Sequence, residues 1–240
     1  MTIDSSWIAC FKEEAPCAFT PRAPFHPDAV FCDGQIRLMP SAIDEIMGWE
    51  EYTRRQFERH IEHYLKRGVS CVILAFDDYA NVPASKSMTQ AKRRVRQVSF
   101  SFTARDALPP SVPRGEDFTR RISNRAFKSK VIQFVIHHII TKLECAPEQS
   151  LIIDYMGAPV RHFSRSSGRP PEPISDFSPL GEADVKFVRY ASMYPKLQVD
   201  SVDGDNIPIA LLHLERGGKG KISILRLQTR VRDEPTKDRK

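Results

Sequence analysis

The sequence contains no apolar run approaching the roughly 20 residues that a membrane span requires, and its longest candidate is interrupted by His137 and His138. A membrane-spanning chain is therefore not expected. The first residues, MTIDSSWIACFKEE, have neither a basic segment nor an apolar one, so no secretory leader is expected either. Cysteine is sparse and poorly arranged for cross-linking. The five cysteines, at positions 10, 17, 32, 71 and 145, form an odd set with no C-x-x-C pair, which argues against a disulfide framework and a zinc ribbon. A reducing, intracellular setting, nuclear or cytoplasmic, is the simpler expectation. Internal repeats are also missing. At 41% hydrophobic and 28% charged over 240 residues, what is present suffices for one sizeable core, which excludes disorder throughout.

The net charge of +6 is unevenly distributed. Residues 84–130 carry 12 basic and 3 acidic side chains, residues 216–240 carry 9 and 3, and the remainder is therefore at −9. Basic segments joined to an acidic remainder suit a polyanionic ligand, because phosphates attract Lys and Arg whereas divalent cations require oxygen ligands.

Along the chain, residues 1–28 read as an irregular, proline-rich arm with one short helix near Ser5 to Lys12. Ala29 to Cys32 forms a short apolar run ending in Asp33-Gly34, the pattern of a buried strand delivering an aspartate to a turn. Residues 49–67 place Trp49, Tyr52, Phe57, Ile61, Tyr64 and Leu65 near one helical face, with Gly68 as a stop. Cys71 to Phe76 is a second apolar run ending in acid, Asp77-Asp78, and Leu151 to Tyr155 is a third strand. Continuous apolar runs alternating with amphipathic helices imply a parallel sheet covered on both faces. Ser87 to Arg96 reads as a basic helix, Ile122 to Leu143 as a long helix, residues 157–181 as a proline-rich loop, and Glu182 to Tyr194 as a helix. Leu197 to Val202 is a strand before Asp203-Gly204-Asp205, Ile207 to Leu214 a helix or strand, and Lys221 to Val231 an edge strand.

Three of these strands end in aspartates: Asp33, Asp77 with Asp78, and Asp203 with Asp205. Any one of them reads more readily as a turn former or helix cap. Taken together, and with Glu182 and Asp184 at a helix start, they would gather at the shared carboxyl edge of an α/β sheet, where ligand sites form. Carboxylates gathered there repel one another by several kcal/mol unless cations neutralise them, which points to metal binding. The pairs His60/His63 and His137/His138 have no third ligand at a recognisable spacing, so zinc is not expected.

The stretch Phe76-Asp77-Asp78 followed by Lys86-Ser87-Met88-Thr89-Gln90-Ala91-Lys92-Arg93-Arg94, then Gly181-Glu182-Ala183-Asp184, then Asp203-Gly204-Asp205, resembles the flap endonuclease and XPG-like family of structure-specific nucleases, within the PIN-like group. The likeness spans about residues 29–214. It implies an α/β fold with a mainly parallel central sheet flanked by helices, a nuclease core over 29–231 with an arch-like helical insertion at about 100–148, and a basic tail at 232–240. It further implies that Asp33, Asp77, Glu182, Asp184, Asp203 and Asp205 bind two divalent ions, Mg²⁺ or Mn²⁺. Lys86 and Arg93 would reach the scissile phosphate, and Lys92, Arg94, Arg96, Arg120, Arg121, Arg125, Lys128 and Lys130 would contact nucleic acid, DNA in preference to RNA. Phe100, Phe102, Phe118 and Phe127 are divided between base stacking and the core, with at least half in the core.

The implied activity is metal-dependent hydrolysis of phosphodiester bonds at 5′-flaps or single-strand/duplex junctions, as in DNA repair. The family continues beyond the last strand into a helix–two-turn–helix element, so a larger polypeptide or assembly is the expected source of that element here. Two other readings stay open: a nuclease-like module that binds nucleic acid or protein without cutting, and a PIN-type single-strand ribonuclease.

Overall fold

Continuous apolar sequence becomes strand only where both faces are covered, and the first three runs meet that condition. A computed structural model of the chain describes residues 25–38, 46–78, 100–142, 144–175, 183–201, 206–218 and 221–225. In it the runs form β1 (Ala29–Asp33), β2 (Cys71–Ala75) and β3 (Ser150–Asp154), each buried along its whole length. Four further strands are β4 (Val160–Phe163), β5 (Glu172–Pro173), β6 (Lys196–Asp200) and β7 (Lys221–Leu225). Among the described residues they make one seven-stranded sheet in the order β5-β4-β3-β2-β1-β6-β7. The four pairings among β3, β2, β1, β6 and β7 are parallel, whereas β3–β4 and β4–β5 are antiparallel. The sheet is thus mixed, not the mainly parallel sheet that the apolar runs suggested.

The two antiparallel strands lie inside the stretch expected to be loop. Prolines obscured them: Pro173 cannot donate to a ladder, but β5 is an edge strand, where a missing N–H is tolerated. The neighbouring Ile174 N–H donates instead to Pro159 O at 2.8 Å.

Successive residues in a strand face opposite sides, and the core divides accordingly. Val30, Cys32, Val72, Leu74, Leu151 and Ile153 face one cluster, and Ala29, Phe31, Cys71, Ile73, Ala75 and Ile152 face the other. The first cluster is covered by the expected helix at 49–67, which runs as α2 (Trp49–Thr53), a π-helical turn (Arg54–Glu58) and α3 (Arg59–Lys66). A four-residue helix, α1 (Gly34–Arg37), precedes it directly after β1. Gly68, at φ +83°, supplies the left-handed stop beyond α3.

The helix expected over Ile122 to Leu143 is present as α5 (Arg125–Lys142), and a further helix that was not expected, α4 (Gly115–Ile122), precedes it. Asn124 separates them: its Oδ1 accepts from Ala126 N at 2.9 Å and Phe127 N at 3.1 Å, an N-cap that competes with continuation of the preceding helix. Both helices carry core residues, including Phe118, Ile122, Phe127, Val131, Val135 and Ile139. The segment expected as an arch-like insertion is therefore packed into the main core. Phe118 and Phe127 are buried there, and Phe100 and Phe102 pack edge-on to the Phe127 ring, so none of the four stands clear as a base-stacking platform.

On the opposite face lie α6 (Ala183–Met193) and α7 (Asn206–Glu215). The choice left open for Ile207 to Leu214 resolves as helix, with Pro208 in the first turn, where backbone N–H groups lack intrahelical partners anyway. Among the described residues no helix is long and apolar enough to cross a membrane. The expected helices at Ser5 to Lys12 and Ser87 to Arg96, the strand beyond Leu225 and the tail at 232–240 lie outside the described residues.

Candidate functional site

The carboxyl ends of β1, β2 and β3 share an edge, and the pairing fixes which side chains meet there. Asp33 lies in register with Ala75, and Ala75 with Asp154. Strand alternation puts Asp33 and Asp154 on the α6 side of the sheet. Asp77, two residues beyond Ala75, follows the same parity and reaches α6 directly: its Oδ1 accepts from the Ala183 N–H at 3.0 Å. A carboxylate from β2 thus caps the first turn of a helix on the far side of a long chain excursion, where the helix dipole favours negative charge.

Asp33 is 7% exposed, and its Oδ1 accepts from Gln35 N at 2.8 Å, which caps α1. Two of the predicted ligands are therefore held at adjacent strand ends by backbone donors. Glu182 and Asp184 flank Ala183 in sequence; Glu182 and the Asp184 side chain lie outside the described residues, as do Asp203 and Asp205. So do Lys86, Lys92, Arg93, Arg94 and Arg96. Asp78 is buried with the opposite parity, on the side of Tyr155. The Tyr155 phenol is pushed up first by burial and further by the Asp78 charge, against the hydrogen bond with Ser129.

A third strand-end acid, Asp154, was not singled out in the sequence. It is 4% exposed, and its charge is answered by Lys186 of α6, itself 1% exposed. Lys186 Nζ donates to Asp154 Oδ1 at 2.8 Å, to Asp154 O at 3.2 Å and to Phe76 O at 2.7 Å. Tyr190, one turn further along α6, donates to Asp154 Oδ2 at 2.8 Å. Burial and the Asp154 carboxylate push the Tyr190 phenol well above its ordinary range, which keeps it a donor. The signal for this pair was available: LIID ends in acid as the other runs do, and Lys186 and Tyr190 are spaced i, i+4 on one helix face.

The basic residues predicted to meet nucleic acid are partly committed elsewhere. Arg120 and Arg121 both bond Asp117, the latter at 2.8 Å, and Arg121 also lies 4.6 Å from the centre of the Phe100 ring. Arg125 is exposed on α5, with Lys128 and Lys130 half-buried further along the same helix. A cavity of about 410 Å³ lies between α5, β3 and β4 and is lined by residues such as Ile136, His137, Tyr155 and Met156. Among the described residues no carboxylate lines it, and none of the predicted ligands faces it.

Among the described residues one set of three metal-ligating side chains has its donor atoms within 4.8 Å of one another: Cys32, His60 and Asp200. It lies on the α3 side of the sheet, away from Asp33 and Asp77. The absence of a third ligand near His60 is thus true of the sequence and not of the fold. Burial would push the Asp200 carboxyl up, but the hydrogen bond with His60 and the Arg37 charge outweigh it and hold the group below the ordinary carboxylate range.

No family model matches the chain, and no match is found among curated proteins or solved structures.

Proposed function

We propose that this protein is a metal-dependent nuclease that hydrolyses phosphodiester bonds in nucleic acid, DNA in preference to RNA, at flaps or single-strand/duplex junctions. The observation that carries the reading is the placement of Asp33 and Asp77 at adjacent strand ends on one face of the sheet, with Asp77 bonded to the first residue of α6. The segments that resemble the nuclease motifs would thereby be neighbours: the Asp33-Gly34 turn, Phe76-Asp77 and Glu182-Ala183-Asp184.

The donor set fits the ions the reading requires. Carboxylate oxygens are hard ligands suited to Mg²⁺ or Mn²⁺, and two of them here are oriented by backbone N–H groups. Asp33, Asp77, Glu182, Asp184, Asp203 and Asp205 would hold two ions. Such ions supply an activated water at neutral pH and a counter-charge for the leaving oxygen. The chain's own task is to position and to neutralise. Lys86 and Arg93 would bring positive charge to the phosphate as its transition-state charge develops, each worth about 2–4 kcal/mol. Lys186 leaves Asp154 already paired, so the ions are held by the remaining acids.

The test is a cleavage assay with Mg²⁺ or Mn²⁺ on 5′-flap DNA, single-stranded DNA and RNA. Cleavage of the flap, lost by at least about a hundredfold in Asp33→Asn and Asp203→Asn, is the expected result. Undiminished cleavage in Asp203→Asn would remove that residue from the site. Failure to cut any substrate, with retained binding, would replace the nuclease by a binding module, and preference for single-stranded RNA would replace it by a ribonuclease.

A further inference from the structure

The cluster on the α3 side of the sheet contains a contradiction in its hydrogen bonding. His60 Nε2 lies against both Arg37 Nη2 and Asp200 Oδ2. A guanidinium can only donate and a carboxylate can only accept, so one imidazole nitrogen would have to accept and donate at once. Arg37 Nη2 also donates to the same Asp200 oxygen, at 2.8 Å, and Tyr64 donates to it at 3.0 Å. Meanwhile Asp200 Oδ1 is buried without a hydrogen-bond partner among the described residues. One carboxylate oxygen is overcrowded and the other has none. Buried polar atoms are ordinarily satisfied, and an orphan of this kind calls for an explanation such as an ion.

A divalent cation removes both difficulties. The Cys32 thiol completes a set of sulfur, imidazole nitrogen and carboxylate oxygen within 4.8 Å. Zinc is the first-row ion whose protein ligands commonly mix these three types, at about 2.3, 2.0 and 2.1 Å, which sets tetrahedral ligand separations of roughly 3.3–3.8 Å. To reach them the Cys32 sulfur closes on the other two ligands, while the His60 nitrogen and the Asp200 oxygen, which now lie directly against one another, open to admit the ion between them. The charges also close. Binding releases the Cys32 proton to solvent, and the two charges of the ion are then met by the thiolate and the Asp200 carboxylate. Arg37, whose guanidinium now pairs with Asp200 at 2.8 Å, becomes redundant. It can leave: its side chain is 15% exposed and that of His60 21%, whereas that of Asp200 is 0%. The exposed side of the cluster is thus where an ion enters and where Arg37 departs.

We infer that Cys32, His60 and Asp200 form a zinc site, closed in the metal-free chain by Arg37 acting as an internal cation, with a fourth position left to water. The site would tie β1, α3 and β6 together, joining residues 168 positions apart in the chain. It shares no ligand with the carboxylate edge. Cys32 and Asp33 are adjacent, but strand alternation sends them to opposite faces, so this inference stands or falls separately from the nuclease reading.

The test uses the full chain, stripped with chelator and held in saturating Mg²⁺ so that an oxygen-only site does not take the probe. Titration with Co²⁺ should give one equivalent bound, with a sulfur-to-cobalt charge-transfer absorption that Zn²⁺ abolishes. Cys32→Ser should eliminate that absorption while Cys145→Ser retains it. Removal of an outer-shell partner of a metal site costs about tenfold to a hundredfold in affinity, so loss of a ligand in His60→Gln should weaken Zn²⁺ binding by at least about tenfold. Arg37→Met, which removes the competing cation, should tighten it severalfold, a direction that a merely structural arginine would not produce. Circular dichroism shows whether each variant is folded; the Arg37 and His60 substitutions, at partly exposed positions, keep the inference testable if the buried ones unfold. An absent cobalt absorption in the parent chain, its persistence in Cys32→Ser, or unchanged or weaker binding in Arg37→Met would overturn the inference.

Discussion

Lys186 is a long cationic side chain with 1% exposure, a state ordinarily too costly to persist. It persists because each donor direction has an acceptor: Phe76 O, Asp154 O and Asp154 Oδ1. Replacing Lys186 by Met leaves the Asp154 carboxylate buried with, among the described residues, the Tyr190 hydroxyl to answer it, and breaking a buried pair in this way costs about 3–5 kcal/mol. Replacing both partners, in Lys186→Met/Asp154→Leu, removes the orphaned charge as well and should recover part of the loss. Denaturant midpoints for the two single variants and the double variant check this. A double variant no more stable than Lys186→Met would mean that the network is held by something other than the charge pair. The contrast with Asp33 and Asp77 shows what a sequence discloses at this scale. A strand-end acid can be seen locally, because its apolar run and its turn adjoin it. Its partner is 32 residues away for Asp154 and 106 for Asp77, so which group answers each acid depends on contacts that no local spacing encodes. His60 is the extreme case, since its partner Asp200 lies 140 residues on and in a different element type.

Between residues and the whole, β1, α1 and β2 are joined by one close approach. A Cβ on Gly34 would lie within 2.8 Å of three atoms of the Phe76 ring, closer than any real contact allows. Gly34 therefore lets α1 begin directly against the end of β2, and Phe76 is the residue before Asp77. Gly34→Ala must displace that ring and with it the strand end. Overpacking of this kind costs about 1–3 kcal/mol, seen as a lowered denaturant midpoint. Because the shift reaches Asp77, it should also raise the Mg²⁺ concentration needed for half-maximal cleavage; a loss of stability with unchanged Mg²⁺ dependence would separate the packing from the site. The elements most legible in the sequence were those whose pattern and packing agree, namely the buried strands and the helix ended by Gly68. Those that were not legible were decided by a single side chain or by position in the sheet. The unexpected helix α4 ends where Asn124 caps α5 through two backbone bonds, and β4 and β5 exist because β3 offers them an edge.

At the scale of the whole molecule the charge is segregated, with residues 84–130 at +9 and a strongly acidic remainder outside the basic C-terminal segment. That basic segment is not a free cation surface throughout. Asp117 pairs with Arg120 and Arg121 from within α4, so those two arginines meet a phosphate only by giving up a bond they already have. Side chains that do meet phosphates release condensed counterions, and the logarithm of the binding constant falls with the logarithm of salt concentration by about 0.9 per contact on duplex DNA and about 0.7 on single strands. The parent chain should therefore bind a flap substrate steeply less well as salt rises. Substituting Arg125, Lys128 and Lys130 together by Ala should reduce the slope by up to roughly 2–3, while Arg120→Ala/Arg121→Ala should reduce it less per residue because those charges are internally compensated. Fluorescence anisotropy across a salt series, with inactivating Ca²⁺ in place of Mg²⁺, measures the slope without cleavage. A slope unchanged by the triple substitution would remove α5 from the interface and leave the segment around Lys86 to Arg96 as the source of the affinity. A salt-independent affinity in the parent chain would mean that the charge segregation serves something other than a polyphosphate ligand.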